Sequence, residues 1–97
     1  SDILDLDSNP KRFGLTQNYP NPTNSETTIG YELPNDFQGS ARIVVFDLQG
    51  RKTREIKDLQ VGSHQVRLNR IELGIGLFTY ALIADGEVIA TKKMLIE

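Results

Sequence analysis

Hydrophobic and polar positions are patterned most clearly over residues 76–96, GLFTYALIADGEVIATKKMLI. Residues 77–84 and 87–96 are rich in β-branched and aromatic side chains, and Asp85-Gly86 between them is a strong hairpin signal. A two-residue loop would set Leu82 opposite Ile89 and Phe78 opposite Lys93, a charge across from an aromatic. A loop one residue longer, with Gly86 left-handed and a bulge beside it, pairs Leu82 with Val88 and Tyr80 with Ala90. The longer loop is preferred because it gathers Phe78, Tyr80, Leu82, Val88, Ala90 and Met94 on one face. Lys92 then shares that face, with its ammonium reaching outward along its stem.

The same texture recurs upstream. Residues 27–33 alternate, with Ile29, Tyr31 and Leu33 facing one way and Thr28, Gly30 and Glu32 the other, which predicts a half-buried strand. Residues 41–48, ARIVVFDL, are apolar on both parities over 43–46 and predict a central strand covered on both faces. Residues 52–59 are dominated by charge and predict an edge strand guarded by lysine and arginine. Residues 63–69 alternate again with Val66 and Leu68 inward, and residues 13–17 predict a short opening strand. Between them, residues 18–24, NYPNPTN, predict a stiff corner outside regular pairing, because proline lacks an amide donor and restricts its predecessor.

Gly50, Gly62, Gly74 and Gly86 fall twelve residues apart with no side-chain repeat between them, a strand-and-turn rhythm rather than an internal repeat. With no sustained helical periodicity, the pattern predicts an all-β antiparallel sandwich of about seven strands. Residues 1–12, polar and holding Pro10, read as a linker from a preceding domain, and 13–97 as one folded domain. The absence of a starting methionine is expected of a piece of a longer protein.

Composition narrows the chemistry. The chain has 97 residues, a formal net charge of −2 and no cysteine, so it offers no disulfide frame, thiol nucleophile or thiolate metal site. Charges of both signs are scattered, which gives no footprint for nucleic acid or an anionic membrane. No apolar run approaches the roughly 18 residues of a membrane-spanning helix, and the first residues do not begin a signal peptide.

Candidate catalytic groups are few. His64 is the only histidine, and its parity with Val66 and Leu68 predicts a half-buried strand-end residue rather than a general base. Asp47 and Asp58 flank turns, where aspartate accepts from backbone amides. Asp5-Leu6-Asp7-Ser8-Asn9 spaces oxygens as a calcium loop does, but Pro10 stands where the turn glycine belongs and the twelfth position is not acidic. Gly74-Ile75-Gly76 lacks the lysine and helix of a phosphate loop. Tyr31, Phe46, Phe78 and Tyr80 could form a platform for sugar, but their alternation assigns them to the core. No catalytic constellation, cofactor or metal site is expected.

Several phrases in order carry the reading further: Gln17-Asn18-Tyr19-Pro20-Asn21-Pro22 with Thr27-Thr28-Ile29, Tyr31-Glu32-Leu33-Pro34, Val45-Phe46-Asp47-Leu48-Gln49-Gly50-Arg51, Gly62-Ser63-His64, Gly76-Leu77-Phe78 and Thr91-Lys92-Lys93-Met94. Together they resemble the type A C-terminal sorting domain of the type IX secretion system. The resemblance implies an immunoglobulin-like sandwich at the end of a secreted Bacteroidetes-type protein. In that family the domain is the address read in the periplasm by the outer-membrane translocon. It is commonly removed at the surface by a sortase-like peptidase, and the cargo is released or joined to lipopolysaccharide. Residues 1–12 lie where such cleavage is expected, and Tyr19, Pro20, Asn21, Pro22, Asp47, Gly50, Gly76 and Phe78 are the motif's framework. Thr23 and Ser25 replace the phenylalanine and third proline often found after the second, Phe78 stands where tyrosine is common, and Glu97 stands where a basic residue is frequent.

If the terminal strand lies at a sheet edge, strand addition could read it, with Thr91, Lys92, Lys93, Met94 and Ile96 as the contact set. The competing role for Lys92 and Lys93 is to guard that edge against aggregation. Tyr19, Pro20 and Pro22 are expected to brace the corner rather than touch a partner. Weak self-association through sheet edges is also expected. The alternative to a secretion address is an immunoglobulin-like accessory or carbohydrate-binding module of an extracellular enzyme, which an exposed aromatic pair would favour.

Overall fold

The computed structural model describes residues 12–97. The linker assigned to 1–12, save Arg12, and the calcium-like segment at 5–9 lie outside the described residues. Seven strands follow in order: β1 (Gly14–Leu15), β2 (Glu26–Leu33), β3 (Ala41–Phe46), β4 (Lys52–Ile56), β5 (Gly62–Asn69), β6 (Gly76–Ala84) and β7 (Glu87–Ile96). One helical turn, α1 (Arg70–Leu73), separates β5 from β6, where the sequence predicts no helix. Asn69 makes that turn possible by accepting the Glu72 amide at 2.8 Å, and Gly74 closes it at φ 88°.

The strands form two antiparallel sheets, ordered β1-β2-β5 and β4-β3-β6-β7. This is the immunoglobulin-like arrangement with the fourth strand beside the third, so β3 and β6 are central in the larger sheet. The core between the sheets takes the inward positions of both. Ile29, Tyr31 and Leu33 of β2 and Leu68 of β5 meet Ile43 and Val45 of β3, Phe78, Tyr80 and Leu82 of β6, and Met94 and Ile96 of β7. A smaller apolar cluster, Val44, Ala81 and Ile83 with half-buried Phe46, lies on the other face of the larger sheet. It accounts for the double parity of β3, and it places Phe46 apart from Tyr31, Phe78 and Tyr80.

The last hairpin differs from its predicted register. Its turn is the two-residue one, with Ala84 opposite Glu87 and both Asp85 (φ 51°) and Gly86 (φ 81°) left-handed. The extra residue sits inside the strand instead: Ile83 pairs with Val88 and Leu82 with Ala90, leaving Ile89 as the bulge. A tight left-handed turn matches the twist of the strands, and the bulge then shifts the register so that Met94, not Lys93, faces Phe78. Val88 is corrected to the outer face, 57% exposed. Tyr80 pairs with Lys92, which is half-buried on the inner side as the snorkelling argument requires.

Sheet edges are closed by different means. β1 is two residues long. Edge strand β4 carries Lys52, Arg54 and Glu55, and Glu55 accepts from Arg42 at 2.6 Å and Lys52 at 2.9 Å. The Arg42 guanidinium, and then Lys52, hold the Glu55 carboxyl down at about 2. On β5, His64 follows the predicted parity but is exposed rather than half-buried, its Nε2 2.7 Å from the Val61 carbonyl.

Met94 is wholly buried between Phe78 and the facing sheet, whereas Lys93 is exposed. Met94→Ala should therefore cost about 2–5 kcal/mol, and Lys93→Ala less than about 0.5 kcal/mol, read as shifts in urea denaturation. Because Glu55 is depressed in the folded state, its contribution is complete above its ordinary value of 4.5 and is lost as pH falls toward about 2. Glu55→Gln should flatten the decline of stability across that window, measured by urea midpoints at stepped pH.

Candidate functional site

Local chemistry at the corner begins with its prolines. Pro20 and Pro22 have no amide hydrogen, and both of their preceding peptide bonds are cis. The segment pairs with strands only at isolated points, Tyr19 with Thr28 and Thr23 in parallel with Ile96. Side chains supply the remaining donors and acceptors. Asn18, 2% exposed, donates from Nδ2 to Thr27 Oγ1 at 2.9 Å and to the Pro20 carbonyl at 3.1 Å, and Thr27 Oγ1 donates to that carbonyl at 2.8 Å. Gln17 donates to Asn18 Oδ1 at 2.7 Å, which occupies the remaining polar atom of that carboxamide. The corner is thus bound to β2 by a buried amide and hydroxyl network, satisfied as buried polar groups must be.

Its other lip closes on β7, the edge strand of the larger sheet. Gln17 Nε2 donates to the Lys93 carbonyl at 2.5 Å, and Asn21 Oδ1 accepts the Leu95 amide at 3.0 Å. Thr23 N donates to the Leu95 carbonyl at 3.1 Å, and Glu97 N to the Thr23 carbonyl at 2.7 Å. From the Lys93 carbonyl to the Glu97 amide, the outward edge of β7 is therefore already paired. A further tie reaches the core: Tyr80, pushed up to about 12 by burial, donates its hydroxyl to the Thr16 carbonyl at 2.7 Å.

The contact set expected on β7 divides by face. Thr91 and Lys93 are exposed and Lys92 is half-buried, while Met94 and Ile96 are wholly enclosed in the core. The framework residues of the motif fall into three groups. Tyr19 braces the corner through its backbone, which exchanges hydrogen bonds of 2.9 and 3.0 Å with Thr28, while its ring stands 81% exposed. Asp47 organises the β3–β4 turn, accepting from the Gln49 and Arg51 amides and from Arg51 Nε within 3.0 Å. The Arg51 amide, with its side chain, holds the Asp47 carboxyl below its ordinary value. Gly50 completes that turn at φ 85°, a left-handed position that favours glycine. Gly76 and Phe78 open β6 opposite Ile96 and Met94.

Sequence reading passed over Gln17, Asn18 and Asn21 as ligands of the corner, and noted Thr23 only as a substitution. The signal was available: a donor-poor proline segment that packs on a sheet needs neighbouring carboxamides and hydroxyls to satisfy its carbonyls. His64 and Asp47 belong to separate turns, and Asp58 sits in a left-handed turn position at φ 56°. Among the described residues, no three His, Asp or Glu side chains come together as metal ligands. Of the residues considered as a sugar platform, Tyr31, Phe78 and Tyr80 are core. The wholly outward aromatic is Tyr19.

Fold and site together define an immunoglobulin-like β-sandwich module whose distinctive feature is an edge strand covered by an amide-rich corner. The profile for the secretion system C-terminal sorting domain matches residues 17–97, and the chain belongs to that family, the sorting signals of the type IX secretion system. The matched segment begins at Gln17, the first side chain of the corner to touch β7. No curated protein and no solved structure matches the chain.

Asn18→Leu keeps the volume of the buried carboxamide but leaves Thr27 Oγ1 without its donor and the Pro20 carbonyl with that of Thr27 alone. It should lower stability by about 1–3 kcal/mol in urea denaturation, and it should accelerate hydrogen exchange at Tyr19 and Thr28 before any residue of β3.

Proposed function

We propose that this domain is a non-catalytic address that carries a covalently joined N-terminal cargo from the periplasm through the type IX outer-membrane translocon. A sortase-like peptidase then cleaves ahead of the sandwich, within residues 1–12, at the cell surface. The observation that carries the reading is the family match over residues 17–97, which spans both the corner and the terminal strand. The burial pattern supports a division of labour within the β7 contact set. Thr91, Lys93 and the ammonium of Lys92 face a partner, while Met94 and Ile96 hold the strand in the position from which it is read.

This division changes the experiment that tests the address. Deleting the last residues would remove Met94 and Ile96 from the core and confuse misfolding with loss of recognition. The informative fusion carries an inner-membrane signal peptide, a reporter and residues 1–97, intact or with Lys93→Glu, in translocon-competent and translocon-deficient hosts. The intact fusion should reach the surface or medium only with the translocon, and Lys93→Glu should cut export several-fold while its purified form melts as the parent does. A folded intact fusion retained in the periplasm of both hosts would refute the sorting role for this chain.

A further inference from the structure

We infer that the outer edge of β7 is a binding site for an extended peptide strand, and that the 17–23 corner is the removable cover of that site. The terminal half of the edge, from the Lys93 carbonyl to the Glu97 amide, is held by the corner through four hydrogen bonds. Strand alternation places the Thr91 amide and carbonyl and the Lys93 amide on the same outward side. Among the described residues these three have no backbone partner. The edge is therefore one continuous ladder, open toward the turn and closed toward the terminus.

The cover differs from a strand in the properties that govern its release. Two of its four bonds come from the side chains of Gln17 and Asn21, and Pro20 and Pro22 can donate nothing. An extended partner offers a backbone donor or acceptor at every such position, so it replaces each bond of the corner and adds those to Thr91 and Lys93. The corner is also tied to β2 at a separate place, through Asn18, Thr27 and the Tyr19–Thr28 exchange. Its lip can lift from β7 without dismantling the smaller sheet.

Side chains along the outer face of β7 state what such a strand carries. Lys93 is exposed, and Leu95 lies across from Leu77, the two leucines 36% and 40% exposed. On a strand added at the free edge of β7, a carboxylate beside Lys93, followed two positions on by an aliphatic residue beside Leu95, meets the charge and extends the apolar row that Leu77 and Leu95 begin. The occupant is thus an extended acidic-aliphatic segment of a partner protein.

This inference deepens the reading of β7 as the contact strand, and its test uses the purified 97-residue chain, so it can fail while secretion stands, or the reverse. Asn21→Ala removes the acceptor of the Leu95 amide, and Asn21→Asp keeps one. Hydrogen exchange at Leu95 and Glu97 should rise at least tenfold in the alanine variant, with Ile43 and Leu82 unchanged, and should stay at the parent rate in the aspartate variant.

The probe is a blocked peptide, Thr-Val-Thr-Glu-Val-Leu-Thr-Val-Thr, with two counterparts N-methylated on one or the other alternating set of amides. The unmodified peptide should bind Asn21→Ala at least tenfold more tightly than the parent and shift the amides of Thr91, Lys93 and Leu95. One methylated counterpart, the one blocked on the side facing β7, should lose binding while the other keeps it. Equal affinity for parent and variant, shifts confined to β4 or β5, indifference to both methylations, or dimerisation of the variant without peptide binding would each overturn the inference. Should Asn21→Ala fail to fold, Gln17→Ala, which frees the Lys93 carbonyl and Asn18 Oδ1, takes its place and is judged by peptide affinity, amide shifts and the two methylated counterparts.

Discussion

The extra residue at Ile89 fixes which side chains of the last strand face inward, and most of the structure follows from that choice. Side chains on a strand alternate, so a shift of one residue reverses every position beyond it. The bulge sets Met94 against Phe78 and directs Ile96 into the core, while Lys93 and Leu95 face outward. It also aims the backbone of Leu95 away from β6, where Asn21 and Thr23 meet it. The proline corner can close on the strand only because the register presents those groups on the free side.

Each remaining edge of the two sheets answers the same hazard, unpaired backbone groups open to another chain, by a different route. Brevity suffices for β1, charge for β4, and polar side chains for β5, where Ser63, His64, Gln65 and Arg67 are exposed. Among the described residues, only β7 is covered by a segment that is far away in sequence. That segment is also the place where buried amide and hydroxyl groups are concentrated: Asn18, Thr23 and Thr27 are the buried polar residues of the described chain. Polar groups in such number are retained beside the core because the prolines leave carbonyls that need donors and have few of their own to offer.

Much of this architecture was legible in the sequence. The seven strands, the doubly apolar β3, the charged edge of β4 and the turn role of Asp47 all follow from local alternation and turn chemistry, which act over a few residues. The turn at Asp85-Gly86 was legible too, but its loop length was not. Loop and bulge trade one residue between them, and the hydrophobic pattern of Val88, Ile89 and Ala90 accommodates either. Misplacing Val88 followed directly. The corner's grip on β7 lay beyond local reading because its partners are distant: Asn21 and Leu95 are 74 positions apart. Nothing near Asn21 distinguishes a turn-forming carboxamide from one reaching across the fold. The helical turn at Arg70–Leu73 was missed because four residues are too few to show a period.

The distance between Asn21 and Leu95 also has a consequence in time. A ribosome at roughly 5–20 residues per second makes the corner seconds before it makes the strand that the corner closes upon. During that interval neither the Thr27 network nor the Tyr19 exchange can bring the lip to its partner, since β7 does not yet exist. When β7 does emerge it must pair with β6 before its outer edge is defined. Closure of the corner therefore joins early and late parts of the chain, and it requires the β6–β7 pairing that gives the last strand its outer edge.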